Sequence, residues 1–511
     1  MWDEKGAVLP NAGVSVLNES TGLKRETTSN SEGYFAVSLL PPGHYIVRVK
    51  SEGFNSAEIK DLVLQVGDQR SISISLYPAG PAESITVVDE TSLVHSSPAV
   101  STVIDRQFIE NLPMNGRSFQ SLIVLTPGVV LTRTGFGEQG QFSVNGQRSN
   151  ANYFTVDGVS ANIQVSGSAT LNQTAGGSIP GTSASGGTSA LVSIDALQEF
   201  RIQTSSYAAE FGRTPGAQVS IVTRSGTNQF HGTVFEYFRD DALDANDWFN
   251  NSRGLAKPVT RQHDFGGVVG GPILLPRFGE GGSQPGYDGR NRTFFFLSYE
   301  GLRLRQPQTR ITQVPSLATR QSAVPRVRPY LDAYPLPNGP NTATGGFAEF
   351  AASYSDPTSS DATSLRVDHT VSGNLTLFGS VNYSPSSLQT RAIDNTSVNT
   401  ITIQGFKTVT ATVGATWLVS PPISNELLAN WSSNKADWIS QLDNFGGAVP
   451  LPDSAWFPAS VDPQDSLIVF GIGGSQSSFY VGKNVAKPPN SIQFGRQRLT
   501  GGGTSSSKVR N

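Results

Sequence analysis

The sequence predicts a mainly β chain in three parts: an N-terminal β-sandwich, a mixed α+β middle, and an incomplete antiparallel transmembrane β-barrel. Three observations lead there. Hydrophobic residues make up 37 % and charged residues 15 %, while Gly (53) and Pro (31) are abundant. That balance suits strands joined by polar turns and disfavours helical bundles. Ser71-Ile72-Ser73-Ile74-Ser75-Leu76 alternates strictly, so Ile72, Ile74 and Leu76 share one face. From Asn228 onward, about six segments alternate apolar and polar residues over about nine positions, the length of a tilted membrane strand.

Composition also excludes several functions. Net charge is −3 and no basic run offers a nucleic-acid footprint, so no nucleic acid is expected as a partner. There is no cysteine, hence no disulfide, thiolate metal site or cysteine nucleophile. The five histidines are His44, His95, His231, His263 and His369, and none lies in a zinc-peptidase spacing. No phosphate loop or nucleophile elbow occurs. We therefore expect no enzyme, with no catalytic, metal or cofactor-binding residues. No run of about 18 apolar residues provides a transmembrane helix. Met1-Trp2-Asp3-Glu4-Lys5-Gly6 lacks the basic and apolar regions of a signal peptide, so a truncated N-terminus or misassigned start is expected.

Residues 1–78 read as the sandwich. Strand-like runs are Gly13–Leu17, Tyr34–Val37, Tyr45–Val49, Leu62–Val66 and Ser71–Leu76. Turn residues separate them at Asn30–Gly33, Pro41-Pro42-Gly43, Ser51-Glu52-Gly53 and Val66-Gly67-Asp68. The order Gly6–Pro10, Thr21-Gly22, Glu32–Phe35, Leu40–Tyr45, Gly53-Phe54 resembles the carboxypeptidase regulatory-like domain. The resemblance implies an Ig/transthyretin-like sandwich without peptidase chemistry. It places the first strand upstream of Trp2, so that strand is expected to be missing here.

Residues 79–95 form a linker around Ser84-Ile85-Thr86-Val87-Val88. Residues 96–227 follow with a helix signal over Asp105–Leu112, which puts Phe108, Ile109 and Leu112 on one face and is stopped by Pro113. Then come Leu112-Pro113-Met114-Asn115-Gly116-Arg117-Ser118-Phe119, Phe142-Ser143-Val144-Asn145-Gly146-Gln147-Arg148 and Tyr153-Phe154-Thr155-Val156-Asp157-Gly158. Asp157-Gly158 is a hairpin turn signal. Residues 166–189 are almost wholly Gly, Ser, Ala and Thr and read as a flexible loop. The segment closes with Ala196–Ile202, Tyr207–Arg213 and Gly216–Asn228.

These motifs resemble the plug domain of a TonB-dependent outer-membrane receptor of the Oar-like subgroup, running into its first barrel strand. The resemblance implies a Gram-negative outer membrane and transport through a plugged barrel. The implied partners are the energy-transducing protein TonB, outer-membrane lipid and an extracellular ligand of unknown identity. It makes Leu112, Pro113, Asn115, Gly116, Arg117, Asn145, Gly146, Arg148, Asp157 and Gly158 plug-motif residues. Arg117 and Arg148 are candidates for plug–barrel polar contacts, or ordinary exposed arginines. TonB binds such receptors by strand addition, which needs a β-prone, Pro-free segment. Ile85, Thr86, Val87 and Val88 meet that need; the same residues also read as a last sandwich strand or a first plug strand.

Residues 228–511 read as barrel. In Asn374–Tyr383 the lipid-facing set is Leu375, Leu377, Gly379, Val381 and Tyr383, with Phe378 an exception among inward polar residues. Thr408–Trp417 points Val409, Ala411, Val413, Ala415 and Trp417 outward, and Thr293–Glu300 points Phe295, Leu297 and Tyr299 outward. Glu300, Arg366 and Asp368 fall on the lumen side. Trp417, Trp431, Tyr299 and Tyr383 suit an interfacial girdle. Gln306–Asp361 reads as a long extracellular loop. Such receptors close about 22 strands around the plug, whereas about seven or eight are legible here. Arg496–Asn511 lacks a terminal aromatic strand. The expectation is a fragment: sandwich, plug and part of a barrel.

Function follows as energised uptake of a siderophore, glycan or peptide-type ligand. The alternative is a cell-surface carbohydrate-binding or adhesion protein using the sandwich, which exposed aromatics among Tyr34, Phe35, Tyr45 and Phe54 would favour.

Overall fold

A computed structural model describes residues 1–79, 85–86, 100–111, 120–131, 142–147, 151–161, 193–207, 215–276, 286–343, 345–393, 395–420, 423–472, 477–486, 491–500 and 507–510. The first unit contains β1 (Trp2–Asp3), β2 (Gly13–Asn18), β3 (Lys24–Thr28), β4 (Gly43–Lys50), β5 (Ala57–Leu64) and β6 (Ser75–Leu76). One sheet runs β3-β2-β4-β5-β7, where β7 is Ile85–Thr86; β1 and β6 pair in parallel as a second sheet. Alternation buries Val14, Val16, Tyr45, Val47 and Val49 of the first sheet against Ile74 and Leu76.

Trp2–Asp3, which the sequence did not mark, is a strand on Ser75–Leu76. Two of the runs that read as strands behave otherwise. Tyr34–Val37 forms none: Phe35 and Val37 pack on the core without joining a ladder. Ser71–Ile74 likewise makes no ladder, although Ile74 is fully buried. Apolar alternation specifies the buried face, not the backbone pairing.

The second unit contains β8 (Val100–Asp105), α1 (Arg106–Asn111), α2 (Gln120–Ile123), β9 (Val129–Leu131), β10 (Phe142–Val144), β11 (Tyr153–Val156), β12 (Val159–Ser160), β13 (Leu197–Ser205) and β14 (Gln218–Thr223). Its main sheet runs β12-β11-β14-β13-β8, with β11 and β14 parallel. The Asp105 carboxylate accepts from the Phe108 N–H at 2.9 Å, which caps α1. Ile109 is buried but Phe108 points to solvent, so the helix buries a narrower face than the pattern implied. Leu112 and residues 166–189 lie outside the described residues.

The third unit is one antiparallel sheet: β15 (His231–Asp240), β16 (Arg261–Pro272), β19 (Thr293–Pro315), β20 (Phe347–Ser372), β21 (Leu375–Arg391), β22 (Thr400–Ser420) and β23 (Ile423–Leu442) lie side by side in chain order. Between β16 and β19 sits the small hairpin of β17 (Leu274–Leu275) and β18 (Tyr287–Asp288). Beyond β23 lie β24 (Leu467–Gly471), β25 (Ser478–Ala486), β26 (Ser491–Thr500) and β27 (Ser507–Arg510). Among the described residues, nothing pairs β15 with β24 or β27, so the sheet does not close.

The strands are far longer than the predicted nine positions: β20 has 26 residues and β19 has 23. Gln306–Asp361 is accordingly no long loop. Gln306–Pro315 pairs with Phe347–Asp356 residue for residue, leaving about thirty residues and two short helices, Leu317–Ser322 and Arg328–Asp332, at the turn. Beyond the apolar band a strand no longer needs lipid-facing residues, so composition imitates a loop while the ladder continues.

Burial on this sheet is inverted relative to a wetted β-sheet. Val413 is 59 % exposed and Trp417 49 %, while Ser298 and Asn382 are 0 % and 8 % exposed. Val381, Tyr383, Leu427 and Trp431 share the exposed face, and Ser364, Ser380 and Asn430 the covered one. Apolar side chains facing outward over polar ones facing inward is the arrangement a lipid-bathed barrel wall requires.

Candidate functional site: the plug and its contacts

The second unit lies on the covered face of the sheet. Its core, built on Phe154, Phe200, Ile202, Val219 and Ile221, continues without a break into Val268 of β16 and Phe296 of β19. Arg224 stacks over the Phe296 ring at 5.0 Å.

The strongest polar anchor grows from the hairpin β11–β12. Asp157 and Gly158 both have positive φ (48° and 80°), the geometry that a two-residue hairpin turn needs. The turn presents the Asp157 carboxylate, which accepts from the Thr223 N–H at 3.0 Å and the Thr223 hydroxyl at 2.7 Å. Arg366 of β20 reaches the same carboxylate at 3.0 Å, and its own-strand neighbour Asp368 at 2.8 Å. It also donates to the Thr223 hydroxyl at 2.9 Å. Asp157 is nearly sealed from solvent, its side chain being 5 % exposed. A desolvated carboxylate requires such a partner. Two carboxylates flank one guanidinium, so the anchor carries a net negative charge.

Phe378, the exception in the inward set, lies under this cation: the Arg366 guanidinium stands 4.6 Å from its ring centroid. Gly414 makes room for that ring, since a Cβ there would stand 2.1 Å from Phe378 Cε1. Gly414→Val is expected to push Phe378 off Arg366 and cost about 1–3 kcal/mol by overpacking, read as a lower melting temperature in detergent. An unchanged melt would show that the ring does not need this space.

Glu300 forms a second anchor. Its carboxylate accepts from the Ser193 hydroxyl at 2.6 Å and the Ile194 N–H at 3.3 Å. It thereby caps a short turn whose Asp195 pairs with Arg106 at 3.1 Å. Asn145-Gly146 is another turn, with φ 50° and 75°, and Asn145 donates to the Thr204 carbonyl at 3.0 Å. Leu112, Pro113, Asn115, Gly116, Arg117, Arg148, Val87 and Val88 lie outside the described residues.

Ile85 and Thr86 are the described part of the linker segment. They form β7, paired in parallel with Ala57 and Glu58 at the edge of the sandwich. The reading of these two residues as a last sandwich strand is the one this pairing matches.

Sequence reasoning missed the contacts of the sandwich with both other units. The Asn228 N–H donates to the Ser20 carbonyl at 3.0 Å. Ser38 reaches Ser424 at 3.1 Å, and the buried Arg25 donates to the Gly373 carbonyl. All three partners sit at one end of the sheet strands. Against the plug, the Val66 N–H donates to the Glu199 carboxylate. Arg201 donates to the Val66 carbonyl at 3.0 Å and lies 3.7 Å from Asp68, which Arg70 also holds at 3.0 Å. Burial pushes Glu199 up to about 7, with the Asp68 and Asp105 carboxylates adding to the shift and the Val66 N–H and Arg201 opposing it. Of the sandwich aromatics, Tyr34, Trp2 and Tyr77 are exposed, Phe35 and Phe54 pack on the core and Tyr45 is fully buried.

The chain matches three families. Residues 2–77 match the carboxypeptidase regulatory-like domain. Residues 94–221 match the TonB-dependent receptor plug domain. Residues 222–329 and 322–499 match the outer membrane beta barrel domain. Over 282 residues, 52 % of this chain, it is 29 % identical to the TonB-dependent transporter Oar of Myxococcus xanthus, and the match spans 24 % of that protein's length. Among solved structures, the outer membrane transporter YddB from Escherichia coli aligns with a TM-score of 0.47 at 11 % identity, over 79 % of this chain and 46 % of that one. The siderophore receptor PiuA from Acinetobacter baumannii aligns with a TM-score of 0.37 at 12 % identity, over 81 % and 60 %. With its regulatory-like sandwich, its plug and its lipid-facing β-sheet, the chain belongs to the TonB-dependent receptors of the outer membrane.

Proposed function

We propose that this chain serves TonB-energised uptake of a siderophore, glycan or peptide-type ligand, with the plug as the gate. The observation that carries the reading is the seating of the plug sheet on the covered face of the wall through Asp157 and Arg366. A plug held by a few buried polar anchors over an apolar seam is stable at rest and moves only when force is applied. The linker segment is the handle, with Ile85, Thr86, Val87 and Val88 as the strand offered to TonB. Because Ile85–Thr86 already pairs with β5, TonB must take it from the sandwich. The handle is thus stored as a strand until it is engaged.

Ile85→Pro removes a backbone donor from that strand. It is expected to weaken binding of the TonB periplasmic domain to the purified chain at least about tenfold, measured by calorimetry. Binding that survives the substitution unchanged would place the handle elsewhere. The carbohydrate-binding alternative is supported by exposed sandwich aromatics, Tyr34 foremost and also Trp2 and Tyr77, and a glycan array probed with the chain and with Tyr34→Ala separates it from the transport reading.

A further inference from the structure

We propose that the inward faces of β21, β22 and β23 form a binding track for a neutral, hydroxyl-rich ligand, a glycan. The inference rests on the transport reading and selects one of its three ligand classes. The ladder sets the inward side chains in rows. One row runs Ser298, Ser364, Asn382, Thr410, Ser432 across five strands, each residue opposite the next. The row on its sandwich side runs Arg366, Ser380, Thr412, Asn430, and on its far side Ser384 faces Thr408. Neighbouring strands stand about 4.8 Å apart, so these hydroxyls and amides make one continuous polar surface. Charge is spread unevenly over the wall. The plug anchors Glu300 and Arg366, with Asp368, belong to β19 and β20. By contrast, the inward positions from Thr376 to Ser386 of β21, Thr402 to Thr416 of β22 and Leu428 to Ser432 of β23 carry no charged residue. Glu426 follows only at the sandwich end of β23.

Hydrogen bonding then sets the chemistry of the ligand. The Asn382 amide donates to the Thr410 hydroxyl at 3.3 Å. The Asn430 amide donates to the Thr412 hydroxyl at 2.8 Å and the Ala411 carbonyl at 3.3 Å. Their N–H groups are thus spent on the wall, while both Oδ1 atoms accept from nothing among the described residues. The Ser298, Thr408 and Ser432 hydroxyls are likewise unpartnered there. With the plug seated, none of these five residues is more than 8 % exposed. A sealed polar atom without a partner forfeits the hydrogen bond it had in water, so these groups gain when the plug moves aside and donors reach them. The two Oδ1 atoms require a ligand that donates. Sugar hydroxyls donate and also accept, which suits the serine and threonine hydroxyls as well. The anionic oxygens of a ferric siderophore offer acceptors and meet no cation on this face, and a charged peptide meets no counter-ion. One row further out, Phe406 faces Ser386. Its half-buried ring is an apolar platform for the C–H face of a sugar ring.

The test exploits the absence of cysteine. Ser432→Cys is introduced into the full chain carrying Arg366→Met, which loosens the plug, and maleimide labelling of the new thiol is timed in neutral detergent. Three panels are added in turn: neutral oligosaccharides of glucose, mannose, galactose and xylose; ferric catecholate and hydroxamate siderophores; and random-sequence peptides. A ligand that occupies the opened track slows labelling by mass action. At least one neutral oligosaccharide is expected to slow it about fivefold or more at millimolar concentration. Labelling of Arg290→Cys, on an exposed turn at the sandwich end, is expected to stay unchanged. Asn382→Ala/Asn430→Ala should abolish the protection, and Thr408→Val, which keeps the side-chain shape, should cut it at least about threefold. The track is overturned if no oligosaccharide protects, if siderophores or peptides protect as well or better, or if protection survives both sets of substitutions. Protection that disappears in Tyr34→Ala places the glycan on the sandwich and overturns the track too. The transport reading falls separately: a wild-type chain that does not bind TonB removes that reading and leaves glycan protection standing. Melting temperatures equal to that of the Arg366→Met parent guard against misfolding.

Discussion

Arg366→Met is expected to loosen the plug from the wall by about 3–5 kcal/mol. The substitution leaves Asp157, whose side chain is 5 % exposed, without its cation, and Asp368 adds a second uncompensated carboxylate beside it. The cost is the stranded charge more than the lost attraction. Removing both members, in Arg366→Met/Asp157→Asn, should therefore recover part of the loss, since the amide that replaces the carboxylate keeps an oxygen for the Thr223 N–H. Arg239→Met breaks an exposed pair with Asp244 and should change stability by less than about 1 kcal/mol. Protease cleavage within the plug, followed against denaturant in detergent, reads the difference. Equal shifts for Arg366→Met and Arg239→Met would remove Arg366 from the anchor.

The sandwich–plug contact should weaken as pH rises. Burial raises Glu199 from its ordinary 4.5 to about 7, and the Val66 and Asp68 side of that burial belongs to the sandwich. A group whose docked pKa is raised contributes stability that is full below the undocked pKa. That stability is lost as pH climbs through the docked value. The window therefore lies between about pH 4.5 and 7. The protection factor of the Val66 amide, which donates to this carboxylate, should fall across the window. Glu199→Gln keeps an uncharged acceptor and should remove the fall. A wild-type amide whose protection is flat from about pH 5 to 8 would refute the coupling. The sandwich would then hold the plug more firmly at acid pH.

Much of this architecture was legible from local pattern. Alternation in Leu375–Tyr383 and Thr408–Trp417 marked the lipid face, and Asp157-Gly158 marked a turn. Both signals act over a few residues, where side-chain direction follows the backbone period. Gln306–Asp361 misled for the same reason: once strands leave lipid, polar composition no longer separates ladder from loop. Tyr34–Val37 misled in the opposite sense, since apolar residues reach a core without pairing.

The three-part order, the outward and inward faces, the turns and the resemblance to plugged receptors are all written in neighbouring residues, so the chain specifies them without a fold. Which charges meet is a different matter. Nothing near Asp157 in the chain points to Arg366, and nothing near Glu199 points to Val66. Phe378 likewise finds its reason only in three dimensions, beneath a guanidinium and over Gly414. Ion pairing and desolvation depend on what long-range folding brings within a few ångströms, so the anchors appear only when the plug is seated on its wall.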